Sequence, residues 1–422
     1  MILLNKMTTF ILLGLALAAQ VSLASAASWE GEEVTRDGVV HVMNPATPVE
    51  SPITVELEEL WRLGGNTESD EEFFGVIGAI ALDNEGAVYL LDRQLTEVKV
   101  FSARGEYLRT IGREGEGPGE FRRPSDLFLT PQGELAVLQT APGKLVLLTP
   151  EGDPAGDFIV GEDDGGFRML RGGASAGEHM VLAYVTAKME PGKRIRSSIL
   201  AAYDADGTEG TRYYEDQSTM NFANPIVDER KGLTPTWALG PGGIIYFTPT
   251  FGEYEISAIA PDGTKKHIVE RDYESLPRSN DEMEAMKKRF IVRGPVNPKI
   301  VVAENHPDIN RLFPRKDGTL WVLTSRGIKA SNDRTLAVFD VFDDAGRFTH
   351  QVTLEGEGNP KDDAVFIIDD RIFVVTQFVT AMQSMFGGGD AEADDEEPEP
   401  MEVICYRLGL GAEAMASGSS SR

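Results

Sequence analysis

A tight turn followed at once by a short apolar strand recurs along this chain and limits what it can fold into. Asn84-Glu85-Gly86 precedes Ala87–Leu91, Pro131-Gln132-Gly133 precedes Glu134–Leu138, and Ser175-Ala176-Gly177 precedes Glu178–Leu182. Pro241-Gly242-Gly243, Lys316-Asp317-Gly318 and Asp369-Asp370 precede three more such strands, ending at Phe247, Leu323 and Val375. Gly, Asn and Asp suit hairpin turns because these turns need a positive φ, which costs those residues least. The β-branched and aromatic residues that follow fill a pleated, buried strand.

A second set of turns lies further along each unit, at Ala103-Arg104-Gly105, Pro150-Glu151-Gly152, Asp206-Gly207, Pro261-Asp262-Gly263 and Asp344-Ala345-Gly346. There are six turns of the first kind and five of the second. A unit of four antiparallel strands, A to D, uses the first turn between A and B and the second between C and D. The last unit has A (Ala364–Ile368), B (Arg371–Thr376) and C (Met401–Leu408), and no D follows. Ile53 to Leu63, ending Trp61-Arg62-Leu63-Gly64-Gly65, resembles the D strand Tyr107–Ile111 and supplies the missing one. The expected fold is therefore all-β: a six-bladed β-propeller of four-stranded blades, its ring closed by an N-terminal strand that completes the C-terminal blade. Closure removes exposed strand edges, and each unit needs its neighbours to bury its faces.

The intervals between turns are uneven. They lengthen from Gly177 to Gly243 and from Gly243 to Gly318, which places insertions at Arg212–Thr234 and Tyr273–Ile309, and a third falls inside the last blade at Val379–Pro400. Within the second insertion, Asp281 to Phe290 reads as a short helix after a Ser279-Asn280 cap. All three map to D-to-A linkers or B–C loops, which share one face of a propeller. One face is thus elaborated and the other trimmed to tight turns.

The N-terminus carries Lys6, an apolar run from Phe10 to Ala19 and the small-residue site Ala24-Ser25-Ala26. This is the pattern of a signal peptide over residues 1–26, too short to span a bilayer, and it implies a periplasmic or secreted protein with no membrane span. Residues 27–52 form an N-terminal extension, 53–408 the propeller with an acidic loop insertion at 380–400, and 409–422 a disordered tail. The formal net charge is −28, from 68 acidic and 40 basic side chains, which opposes nucleic-acid binding. The single cysteine, Cys405, cannot pair within one chain and reads as a small buried side chain in a late strand.

Gly112-Arg113-Glu114-Gly115-Glu116-Gly117-Pro118-Gly119-Glu120-Phe121-Arg122-Arg123-Pro124-Ser125-Asp126 resembles the interblade linker of NHL-repeat propellers. These linkers read as a Gly-rich loop, then Phe, a polar residue and Pro, then the inner strand. Over roughly residues 53 to 408 the turn pattern is similar to that of exported bacterial six-bladed propellers related to NHL proteins. The resemblance implies a fold and a role as a binding scaffold; the elaborated face, with no convincing catalytic set, points to a protein, peptide or glycan as partner, and a monomer is expected. It also raises an alternative, since related propellers of the lactonase or lyase kind hold a divalent ion, often calcium, in the channel. Asp126 and Asp363 are the side chains that would serve there.

The motifs of catalysis are weak. Gly173-Ala174-Ser175-Ala176-Gly177 matches a nucleophile elbow in letters but falls on a strand-to-strand hairpin, where the strand-turn-helix context is missing. The loop Gly115–Gly119 lacks the Lys and Ser/Thr of a phosphate loop. His41, His179, His267, His306 and His350 share no metal-ligand spacing, and His267 and His350 fall on outer strands. The acidic run Asp390–Pro400 has no apolar period and reads as a solvated loop. The expectation is a scaffold with no cofactor and no catalytic set, binding through residues that enter the inner strands on the elaborated face: Arg123, Asp126, Trp237, Arg311 and Asp363.

Overall fold

The structure is a computed structural model that describes residues 28–160, 167–231, 236–290, 298–330, 332, 334–359, 362–385 and 399–409. The residues read as a signal peptide, most of the acidic run and nearly all of the residues read as a C-terminal tail lie outside the described residues.

Six antiparallel sheets form the blades. Blade one is Ile77–Leu82, Val88–Asp92, Glu97–Phe101 and Tyr107–Ile111. Blade two is Pro124–Leu129, Leu135–Gln139, Lys144–Leu148 and Pro154–Ile159. Blade three has the longest strands: Phe167–Ala176, His179–Glu190, Lys193–Tyr203 and Glu209–Asn221. Blade four is Trp237–Leu239, Ile245–Phe247, Glu255–Ile259 and Lys265–Arg271, and blade five is Ile309–Pro314, Leu320–Thr324, Thr335–Phe342 and Phe348–Glu355. Blade six joins Ala364–Ile368, Arg371–Val375 and Glu402–Arg407 to Glu58–Gly64 from the N-terminal side, with Cys405 opposite Trp61. The six-bladed ring and its closure follow the turn pattern.

B and C strands are buried on both faces, so they read as continuous apolar runs such as Val88-Tyr89-Leu90-Leu91. The core lies between blades. Trp61, Phe101, Phe373 and Cys405 share one cluster between blades six and one, and Trp321, Phe339, Ile372 and Ile404 share another between five and six. Fully burying such a side chain stabilises by about 1.5–3 kcal/mol. Burial also pushes the Cys405 thiol up to about 12, so it stays protonated and behaves as an apolar filler.

One sequence expectation on the N-terminal side needs correction. Ile53–Leu63 is not one strand. It breaks at Leu57, whose N–H donates to Glu355 O, and Ile53–Glu56 runs parallel to Phe348–Glu355 as a fifth strand of blade five. The extension before it is also folded. Glu32–Arg36 and Val39–Asn44 form a hairpin whose second strand pairs in parallel with Lys265–Arg271, making blade four six-stranded. The N-terminal segment thus runs around the rim, sealing the outer edges of blades four and five before closing blade six. Asn44 fastens it. Its amide donates to Val42 O, Glu270 O and Gly346 O, and its carbonyl accepts from Trp29 Nε1 and Phe348 N.

The stretch Arg212–Thr234 starts as strand rather than insertion, because strand D of blade three continues to Asn221. The helix after Ser279 is present as Asn280–Arg289, with Ser279 and Glu282 forming a reciprocal capping box. A further helix, Phe378–Met385, opens the blade-six insertion.

Candidate functional site

The two long linkers that flank blade four do not wander separately. Ile226–Asp228 pairs in parallel with Lys299–Val301. Beneath that pairing, Arg278 forms a two-pronged ion pair with Glu229, both over 90% buried, and Glu229 also accepts from Ala303 N–H. Breaking such a buried pair costs about 3–5 kcal/mol, so the linkers form one stiff roof. Under it lies a cleft of about 580 Å³, walled by Tyr214, Asp216 and Ser218 of blade three, Arg230 and Lys231 of the first linker, and Thr248–Glu253 of blade four. A second cleft on this face, about 670 Å³, belongs to blade six and holds Arg62, Glu357, Asp363 and Glu402. In it Arg62 pairs with Glu59, Glu357 and Glu402, which hold its guanidinium well above the usual range.

The five residues expected to converge do so only in part. Asp126 and Trp237 come together. A methyl group on Gly172, on the inner strand between them, would stand 3.4 Å from Asp126 Oδ2 and 3.7 Å from Trp237 Cζ2. Asp126 accepts from the N–H groups of Leu127 at 2.9 Å and Gly173 at 3.2 Å. It is surrounded by protein yet keeps solvent contact, as a group on the wall of a narrow channel does. Loss of hydration outweighs the amide bonds and the nearby Arg93, and pushes its pKa up to about 6.

The other three go elsewhere. Arg123 is exposed, with a left-handed φ of 48°. Arg311 is spent on blade six, donating to Val365 O at 2.9 Å with its guanidinium 5.2 Å over the Phe366 ring. Asp363 holds a linker, accepting from the N–H groups of Asn359 and Gln377, and lines the second cleft. It stands one residue before the inner strand, Ala364–Ile368. Asp126 and Asp363, the pair assigned to an ion, share no contact among the described residues, where no group of three or more His, Cys, Asp or Glu side chains is placed to hold a metal.

Sequence reading missed Arg93, whose Nε donates to Pro124 O at 3.1 Å beside Asp126 and whose Nη1 reaches Met382 Sδ at 3.6 Å. The signal was Asp92 before it. That carboxylate gathers the N–H groups of Gly75, Val76, Gln94 and Leu95, fixing the loop that aims Arg93 inward. Ser175 donates to Leu129 O and sits on the A–B hairpin, so it is a structural hydroxyl.

Residues 67–150 match the profile of the DUF5128 family, a 6-bladed beta-propeller. No curated protein matches the chain. Among solved structures, the chain is similar to a Bacteroides fragilis protein described as exported, at 14% identity and TM-score 0.46, covering 84% of this chain and 99% of that one. It is similar to virginiamycin B lyase from Staphylococcus aureus at 12% identity and TM-score 0.40, covering 82% and 99%. A third similar structure is the calcium-binding protein regucalcin from Agrobacterium tumefaciens, at 12% identity and TM-score 0.42, covering 84% and 96%. Nothing about activity rests on likenesses this distant.

Proposed function

We propose that this chain is an exported binding scaffold that engages a protein, peptide or glycan on its loop-rich face. The observation that carries the reading is the fused roof. Two linkers distant in sequence are locked together by a parallel strand pair and a buried ion pair, over a polar cleft large enough for a small ligand. Stiffening a loop-built cleft lowers the ordering cost of binding, which is the use such an arrangement has. No helix among the described residues is long and apolar enough to cross a membrane.

The test is a thermal-shift panel of peptides and glycans on the purified protein, repeated with Ser218→Trp, which fills the cleft from its outer wall. A ligand that binds the folded state raises the melting temperature. A shift abolished by Ser218→Trp supports the reading. Turnover of a defined substrate, lost on Asp126→Ala, would replace it with an enzymatic one. For the calcium-dependent lactonase or lyase alternative, calcium added after chelation is the direct probe. With Asp126 and Asp363 apart, the expected result is an unchanged melting temperature.

A further inference from the structure

We infer that an acidic saccharide binds at the inner margin of the cleft, held by Arg194 and Arg196 on the face of blade three that looks toward blade four and by Arg171 on the inner strand before Gly172. This narrows the ligand of the binding reading above and rests on it. Blade three is the only blade among the described residues whose B and C strands both exceed ten residues, so its hairpin rises past its neighbours. In that hairpin Arg194 stands opposite Met189 and Met220, and Arg196 opposite Ala187 and Ser218. Opposed residues share a face and successive ones alternate. Arg194 and Arg196 therefore lie on the face of Leu200 and Tyr214, where Trp237 also packs and where Asp216 and Ser218 wall the cleft. Arg171 occupies the bulge of the inner strand, just before Gly172.

These cations lack the carboxylate partners that many other arginines of the chain have. Arg62, Arg212, Arg230, Arg271 and Arg278 all have carboxylate partners. Arg171, Arg194 and Arg196 form no ion pair among the described residues, although the chain carries 68 acidic side chains against 40 basic ones. Arg196 Nε is buried without a hydrogen-bond partner. Burial first, then repulsion from Arg171 and Arg194, lowers the pKa of Arg196. A gathering of like charges with an unsatisfied donor is unfavourable in the free protein, and an anion relieves it. Guanidinium forks fit carboxylate and sulfate oxygens. Trp237, partly buried against the same face, adds a flat apolar surface with a polar edge, which suits a sugar ring better than an acidic peptide. Asp216 and Glu253 in the same cleft, and the net charge of −28, select against a long polyanion and for a short one.

The experiment is calorimetric titration of the purified protein with tetragalacturonate, with maltotetraose and tetraglutamate as the neutral and peptide comparisons, at low and high salt. Tetragalacturonate is expected to bind, more weakly as salt rises, and maltotetraose not to bind. Arg171→Gln and Arg196→Gln are each expected to weaken binding by about tenfold or more. Arg196→Gln is also expected to raise the melting temperature, since it removes an uncompensated cation. Weakened binding together with a lowered melting temperature would mark Arg196 as structural and overturn the proposal. So would equal binding of maltotetraose, or a preference for tetraglutamate. A ligand blocked by Ser218→Trp but indifferent to both arginine variants overturns the acidic-sugar inference and leaves the scaffold reading standing. If Ser218→Trp blocks no ligand at all, both fall.

Discussion

The two halves of the ring treat their outer edges differently. Blades four and five have theirs covered by the N-terminal segment, through Val39–Asn44 and Ile53–Glu56, before it supplies blade six with its own fourth strand, Glu58–Gly64. Blades one to three end in strands that no other strand covers among the described residues. These open edges carry exposed Tyr107, Leu108 and Ile159, but also the Lys144–Asp157 pair and the Arg212 pairs with Glu209 and Glu215. Charges on an edge strand discourage another chain from pairing there. The contrast shows two solutions to one problem in a single molecule: covering an edge with the chain's own strand, or making it unattractive.

The sharpest way to break this comparison is at the strand shared between the ends. Trp61 is buried against Phe373, with ring centroids 5.9 Å apart. Trp61→Ala is expected to cost about 3–5 kcal/mol in urea unfolding, because it removes a large core side chain at the ring's closure. Asn44→Ala comes next, at about 3 kcal/mol, since it orphans several buried backbone groups at once. Hydrogen exchange should place that loss in residues 29–44 and the blade-four edge, with the outer strands of blades one to three unchanged. Equal loosening of both halves would show that the segment is not a local seal.

The third prediction concerns the open half. The folded pKa of Asp126 lies near 6, above its ordinary value of 3.8, so the folded state holds this proton more tightly than the unfolded chain does. Its contribution is fully present below about pH 4 and is lost as pH rises through about 6. Stability should therefore gain up to about 3 kcal/mol from this group as pH falls across that window. Asp126→Asn should flatten the gain, and Asn44→Ala should leave it intact, as pH-dependent unfolding would check. The smallest effect is expected at the free edge. Tyr107 is 40% exposed, and Tyr107→Ala should change stability by about 0.5 kcal/mol or less.

The blades were legible because each depends on local chemistry. Gly86, Gly133 and Gly318 adopt φ of 84°, 83° and 89° in the structure, and the glycine itself announces the turn. The rim segment was not legible beyond its last strand. Val39–Asn44 reads as an ordinary short strand, and nothing in it specifies a partner more than two hundred residues away at Lys265–Arg271. The candidate site divides in the same manner. Asp126 and Trp237 followed from their place on inner strands. Asp363 stands just before its inner strand as expected, but its carboxylate turns to its own linker, which strand position does not reveal. Arg196 was passed over because spacing between turns says that a hairpin is long, not which face its arginines take.

The route of the rim segment also sets an order of events. It is synthesised before every blade, yet its partners on blades four, five and six are among the last parts of the chain to be made. Contacts of such long sequence separation form late and slowly. Its strands must therefore wait for Lys265–Arg271, Phe348–Glu355 and Glu402–Arg407 in turn, the last of them only when nearly the whole chain is available. A truncated product would carry these strands with nothing to receive them, so ring closure works as a check on completeness.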